Sequence, residues 1–168
     1  MAEHTVVVVM GVSGSGKTTI AAQVAQRLGV PLAEADEFHS QANIEKMTSG
    51  IPLTDTDRAP WLDAIAEWVA ERVADGGGVV TCSALKRRYR DRLRGAAPDR
   101  VVFVHLDGPE AVLAERIGHR SGHFMPPALL ASQLADLEPL AEDERGVRLD
   151  ITEPPDVLTG RVVEELAR

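Results

Sequence analysis

The segment that most constrains this chain is Gly-Val-Ser-Gly-Ser-Gly-Lys-Thr at residues 11–18, which fits the pattern G-x-x-x-x-G-K-[ST] at every fixed position. An apolar, mostly β-branched run at 6–10 precedes it and predicts a strand covered on both faces. Apolar residues at helical spacing over 17–28 follow it. A strand, a glycine-rich turn and a helix in this order predict a loop that binds the phosphates of a nucleotide.

The residue types of this loop have chemical reasons. Glycines let backbone N–H groups close around phosphate oxygens, and the start of a helix adds positive potential. We expect Lys17 to reach the β- and γ-phosphates as a catalytic cation, and the Thr18 hydroxyl to ligate Mg²⁺. The residues predicted to bind ATP are Gly11, Ser13, Gly14, Ser15, Gly16, Lys17, Thr18 and Thr19.

Strand and helix patterns alternate along the whole chain. Further strands are predicted at 30–35, 79–82, 101–106 and 147–151, and further helices at 60–74, 85–94, 109–120, 128–137 and 157–166, with loops and short helical turns over 40–60. This alternation predicts an α/β fold of three layers, in which helices flank both faces of a parallel sheet. No repeat or linker interrupts the pattern, so 1–168 is predicted to be one domain.

Composition narrows the classes of partner. The chain has 168 residues, a formal net charge of −8, and three Phe, two Trp and one Tyr, which disfavours nucleic-acid binding because that needs basic surface and stacking platforms. Its longest apolar runs have about five residues, against roughly 20 for a membrane span. One cysteine, Cys82, and no visible secretory signal lead us to expect a cytoplasmic protein without nucleic-acid or membrane partners.

A phosphate loop identifies a nucleotide rather than a reaction. A chain that resembles the guanine-nucleotide switches would have an Asn-Lys-x-Asp sequence on a late strand to bind guanine. The one asparagine of this chain, Asn43, is followed by Ile-Glu-Lys instead. Motor and transporter ATPases usually have a strand that ends in Asp-Glu, whereas the strand at 101–106 leads into Asp107-Gly108. A small kinase is therefore the leading class.

A kinase needs a group that orients the acceptor hydroxyl or takes its proton. Glu34 and Asp36 alternate at the end of the second predicted strand. In open α/β sheets, ligands bind beyond the carboxyl ends of the strands. We therefore expect Asp36 to contact the acceptor hydroxyl as a catalytic residue.

Several further motifs, spread from the phosphate loop to about Pro139, agree in order and spacing with one known family. They are Asp-Glu-Phe-His at 36–39, Asn-Ile-Glu-Lys-Met at 43–47, Gly-Ile-Pro-Leu at 50–53, Asp-Arg-Ala-Pro-Trp-Leu at 57–62, Cys-Ser-Ala-Leu-Lys-Arg-Arg-Tyr-Arg-Asp at 82–91, Gly-His-Phe-Met at 122–125 and Ser-Gln-Leu at 132–134. In these the chain resembles the small phosphate-loop gluconokinases. It departs from them at Glu34, where the family often has Asp, and at Ser40, where it has Pro.

The resemblance implies a function and a fold. Such enzymes phosphorylate the terminal hydroxyl of D-gluconate with ATP and Mg²⁺, giving 6-phospho-D-gluconate. They share the phosphate-loop fold of shikimate and nucleoside-monophosphate kinases and are commonly homodimers. The resemblance also implies a substrate-binding region at about 38–62 and a lid at about 116–136.

Gluconate is an anionic polyol, so its site should combine cations with hydroxyl-binding groups. The segment 86–94 carries six positive residues and one negative residue in an otherwise acidic chain. By the family pattern we expect the substrate to be bound by Asp36, His39, Arg58, Ser83, Lys86, Arg87, Arg90 and His123. In related kinases a lid brings arginines over the phosphates, which implies catalytic roles for Arg116 and Arg120.

Two alternatives stay open. The basic segment does not by itself select among anions, so the acceptor could be shikimate or a nucleoside monophosphate. A nucleotide-binding regulatory subunit would share the phosphate loop but would not need the acceptor group of Asp36, Arg58 and Arg90.

Overall fold

A computed structural model describes residues 4–118 and 127–167. Within these ranges the strands, all parallel and in the order β2-β3-β1-β4-β5, are β1 (Val6–Met10), β2 (Leu32–Glu34), β3 (Gly78–Thr81), β4 (Val101–Asp107) and β5 (Gly146–Asp150). The helices are α1 (Lys17–Leu28), α2 (Gln41–Thr48), α3 (Asp55–Ala74), α4 (Arg87–Arg94), α5 (Glu110–Gly118), α6 (Pro127–Asp136) and α7 (Pro155–Leu166).

Strand β1 lies at the centre of the sheet, where Val8 is aligned with Val80 of β3 and Phe103 of β4. All five residues of β1 are fully buried, as its β-branched sequence predicts. Helices α3 and α4 pack on one face of the sheet, and α1, α5 and α7 pack on the other. The predicted three-layer α/β fold is confirmed.

The structure differs from the sequence prediction over 30–60. Strand β2 is shorter than predicted, and a 3-10 turn, Ala35–Phe38, follows it. Helix α3 begins at Asp55 instead of residue 60, because a capping box starts it earlier. The Thr54 hydroxyl accepts a hydrogen bond from the Asp57 backbone N–H, and the Asp57 carboxylate accepts one from the Thr54 N–H.

The carboxyl ends of β1, β2 and β3 meet at the same edge of the sheet. The phosphate loop follows β1, Asp36 follows β2, and the segment 82–86 follows β3. This arrangement brings residues that are distant in sequence to one cleft, as expected for an open parallel sheet. Among the described helices, none combines the length and the apolar character that a membrane span requires.

Candidate active site

A cleft of about 1400 Å³ opens at this edge of the sheet. The phosphate loop, the start of α1, the segment 34–61, the β3–α4 segment and α6 form its walls. Most of the predicted site residues line it, namely Ser13, Gly14, Gly16, Lys17, Thr18, Thr19, Asp36, His39, Arg58, Ser83, Lys86 and Arg116. Nucleotide and acceptor residues therefore share one cavity.

The shape of the phosphate loop depends on its glycines, and Gly14 and Gly16 show two different reasons. Gly14 has a φ of +84°, and a Cβ there would lie 2.9 Å from the carbonyl oxygen of Leu113. Gly16 has a φ of +91° beside open space, so a side chain there would strain the backbone without clashing. The buried Ser15 hydroxyl donates to the Val12 carbonyl at 2.7 Å, which stabilises the turn from inside.

The start of α1 supplies the polar groups that a nucleotide and its cation need. The Lys17 ammonium donates to the carbonyl oxygens of Gly11 and Val12, at 2.9 and 3.1 Å, and so lies over the loop. Thr18 is exposed to the cleft, and the first turn of α1 carries no acidic residue that would repel phosphate. This donor set fits a nucleotide with Mg²⁺.

The acceptor side of the cleft begins at the end of β2. Asp36 lies exposed in the 3-10 turn. The carboxylate of Glu34 accepts a hydrogen bond from the Thr81 hydroxyl on β3, a contact that ties the two strand ends together. Behind them, burial raises the pKa of the Cys82 thiol to about 12, so this thiol is neutral and inert as a nucleophile.

His39 stacks flat on Trp61, with ring centroids 4.5 Å apart and planes 4° apart. The Trp61 indole N–H donates to the Ala35 carbonyl at 2.7 Å, so this core tryptophan also fixes the 3-10 turn. The pKa of His39 is lowered, mainly because the ring is partly buried. The charge of Arg58 lowers this pKa further, and the charge of Asp36 opposes both effects. A neutral imidazole can donate to or accept from a polyol hydroxyl.

A polar network that sequence reasoning missed holds Arg58. The Tyr89 hydroxyl donates to one carboxylate oxygen of Asp55, and Arg88 donates to the other, both at 2.6 Å. Arg58 in turn donates to the Tyr89 hydroxyl at 3.2 Å. Asp55 and Arg88 line the cleft. The Thr-x-x-Asp pattern of the capping box could have placed Asp55 in the first helical turn of α3 and thus beside Arg58.

Arg90 does not line the cleft, contrary to the sequence expectation. Its side chain is fully buried, where it pairs with Glu144 at 2.8 Å and donates to the Ala84 and Leu85 carbonyls. Arg87 also points elsewhere and pairs with Asp143 at 2.6 Å. Successive helical residues are rotated by about 100°, so one α4 face cannot present every cation to the substrate.

Glu144 is a buried carboxylate with strong partners. Burial alone would raise the pKa of Glu144, but hydrogen bonds from Arg90, the Ala141 N–H and Arg94 outweigh this effect and lower the pKa to about 2. Because Arg90 and Arg94 of α4 both donate to Glu144, this carboxylate links the segment before β5 to α4. Arg90 thus has a structural place, and the cations of the basic segment 86–94 that line the cleft are Lys86 and Arg88.

The lid side of the cleft is described in part. Arg116 lines the cleft and donates to the Ile151 carbonyl. The predicted residues Arg120 and His123 lie outside the described residues. Helix α6 adds Ser132, Gln133 and Asp136 to the wall, and none of the three was assigned a role from the sequence.

The fold and the cleft are those of the small phosphate-loop kinases. Residues 6–140 match the family model described as an AAA domain. The gluconokinase of Gluconobacter oxydans is 52% identical over 162 residues, which cover 96% of this chain and 88% of that protein. The chain belongs to the gluconokinase family.

Two solved structures agree with this assignment. An unliganded sugar kinase from Janibacter sp. is 55% identical with a TM-score of 0.91, covering 98% of this chain and 95% of that one. A gluconokinase from Sinorhizobium meliloti is 48% identical with a TM-score of 0.90, covering 100% of this chain and 94% of that one. At these identities the likeness extends beyond the fold alone.

Proposed function

We propose that this kinase transfers the γ-phosphoryl group of ATP to the terminal hydroxyl of D-gluconate, giving 6-phospho-D-gluconate and ADP. The observation that carries the proposal is the shared cleft, in which the phosphate loop faces Asp36 and a cationic acceptor wall. The family membership and the gluconokinase relatives support gluconate as the acceptor.

In this proposal the loop residues hold and neutralise the nucleotide. Backbone N–H groups of the glycine-rich turn bind phosphate oxygens, and Lys17 offsets charge that develops during transfer. The Thr18 hydroxyl holds Mg²⁺, which when bound neutralises phosphate charge. Arg116 and Arg120 act from the lid on the same charge.

The acceptor residues position the sugar acid. Asp36 accepts the proton of the terminal hydroxyl as that oxygen bonds to the γ-phosphorus and the bond from this phosphorus to the bridging oxygen of ADP breaks. Arg58 and Lys86 pair with the substrate carboxylate, together with Arg88 from the network described above. His39, Ser83 and, from the lid, His123 contact the remaining hydroxyls.

The proposal extends to the domain organisation, the assembly and the location of the kinase. Residues 1–168 form one domain, in which about 38–62 binds the acceptor and about 116–136 forms the lid. The kinase is a cytoplasmic homodimer. The single, buried Cys82 supports the location, because unpaired thiols are typical of reducing compartments.

Release of ADP tests the function when it is followed with gluconate, other sugar acids, shikimate and nucleoside monophosphates. We expect gluconate to stimulate release strongly and the others weakly, and Lys17→Ala to lower the stimulated rate by about 100-fold or more. Stimulation by shikimate or a monophosphate instead would replace the acceptor. No stimulation by any acceptor would favour a regulatory subunit.

A further inference from the structure

Gln133 of α6 contacts the phosphate loop directly. Its Oε1 atom accepts a hydrogen bond from the backbone N–H of Ser13 at 2.8 Å, across 120 residues of sequence. An N–H group can only donate, so this bond fixes which end of the side-chain amide faces the loop. The Nε2 end is therefore held on the other side, with two N–H donors.

Among the residues that the structure describes, nothing takes up these two donors, which leaves them available to a ligand. Within residues 4–118 and 127–167, no protein acceptor bonds Nε2 of Gln133. The side chain is half-buried and lines the cleft between Ser132 and Asp136. An anchored amide with free donors beside a phosphate loop is suited to binding an anionic oxygen.

The position of α6 indicates which phosphate of the nucleotide Gln133 would contact. Leu130 is buried in the core, and just past the helix the Glu138 N–H donates to the Leu85 carbonyl at 2.7 Å. Leu85 belongs to the acceptor wall beside Lys86. Helix α6 therefore spans from the phosphate loop to the acceptor wall, the path along which the terminal phosphoryl group moves.

We propose that Gln133 is a catalytic residue that, anchored by Ser13, donates hydrogen bonds from Nε2 to the phosphoryl group in transfer. The proposal rests on the proposed kinase function and adds a ligand for the terminal phosphate. Such a donor stabilises charge on the transferred group, and it contacts ATP but not ADP.

The test uses Gln133→Met, which keeps the length of the side chain and removes both the acceptor and the donors. We expect kcat for gluconate phosphorylation to fall about tenfold or more, with the KM for gluconate changed less than twofold. Affinity for a non-hydrolysable ATP analogue, measured by calorimetry, should fall about fivefold or more, while affinity for ADP stays within twofold. Ala131→Ser, at an exposed position of the same helix that does not line the cleft, is the matched control and should behave as the wild type.

Two results would overturn the inference. One is a kcat within twofold of the wild type. The other is an equal loss of affinity for analogue and ADP, which would mean that Gln133 only shapes the loop. The affinity ratio is taken within one variant, so partial misfolding cancels. If the Met variant does not fold, Gln133→Ala, which adds no charge beside the phosphates, provides the same ratio. An inactive wild type would refute the kinase proposal separately, since the affinity ratio needs no turnover.

Discussion

Asp36 occupies the point where the end of β2 meets the cleft, exposed and beside the stacked pair of His39 and Trp61. We predict that Asp36→Asn lowers kcat by about 100-fold or more, because the amide cannot take the hydroxyl proton. Affinity for ATP should change little, since Asp36 lies on the acceptor side. Steady-state kinetics and nucleotide titration measure both. Unchanged turnover would remove Asp36 from the mechanism.

Arg88 and Arg90 are two residues apart on α4 and provide a matched pair. Arg88 is exposed to the cleft and bonds Asp55, whereas Arg90 is fully buried against Glu144. We predict that Arg88→Met raises the KM for gluconate about tenfold with little effect on stability. Arg90→Met should instead cost about 3 kcal/mol of unfolding free energy, because it leaves a buried carboxylate with fewer partners.

Urea unfolding and steady-state kinetics of the two variants separate these roles. A destabilised Arg88→Met with normal KM, or a stable Arg90→Met with raised KM, would reverse the assignment. Sequence alone could not separate them, since both belong to one basic run and only the rotation of α4 against the core distinguishes them.

The Arg90–Glu144 ion pair links helix α4 to the segment before strand β5. The pKa of Glu144 is about 2 in the fold, against an ordinary value of 4.5. Because the fold stabilises the ionised carboxylate, Glu144 adds to the free energy of unfolding. This contribution is complete above about pH 4.5 and is lost as the pH falls towards 2. The contribution is about 3 kcal/mol at neutral pH, of which about 2 kcal/mol is gone at pH 3.

The unfolding free energy in urea at pH 7 and pH 3 checks this prediction. Other carboxylates with a lowered pKa, such as Asp57, also lose their stabilising effect when the pH falls. The wild type is therefore compared with Glu144→Gln at both pH values. The wild type should lose about 2 kcal/mol more on acidification than the variant does. Parallel losses in the two proteins would show that Glu144 does not carry the effect.

Local patterns predicted the layered sheet because each strand and each helix has its own pattern of apolar residues. The phosphate loop was predictable for the same reason, since its chemistry lies within eight adjacent residues. Arg90 was misplaced because the direction of a helical side chain depends on tertiary packing. The bond between Gln133 and Ser13 and the Asp55 network escaped prediction because their partners are distant in sequence.

The proposed function requires the cleft to direct one phosphoryl group to the terminal hydroxyl of gluconate. The product of a complete reaction with ATP, Mg²⁺ and gluconate can be examined by proton-coupled phosphorus NMR. A phosphate on the terminal CH₂ couples to its protons as a triplet, whereas one on a CH carbon gives a doublet. We predict a sugar-phosphate triplet in amounts equal to ADP. A doublet, or ADP with inorganic phosphate and no ester, would contradict this function.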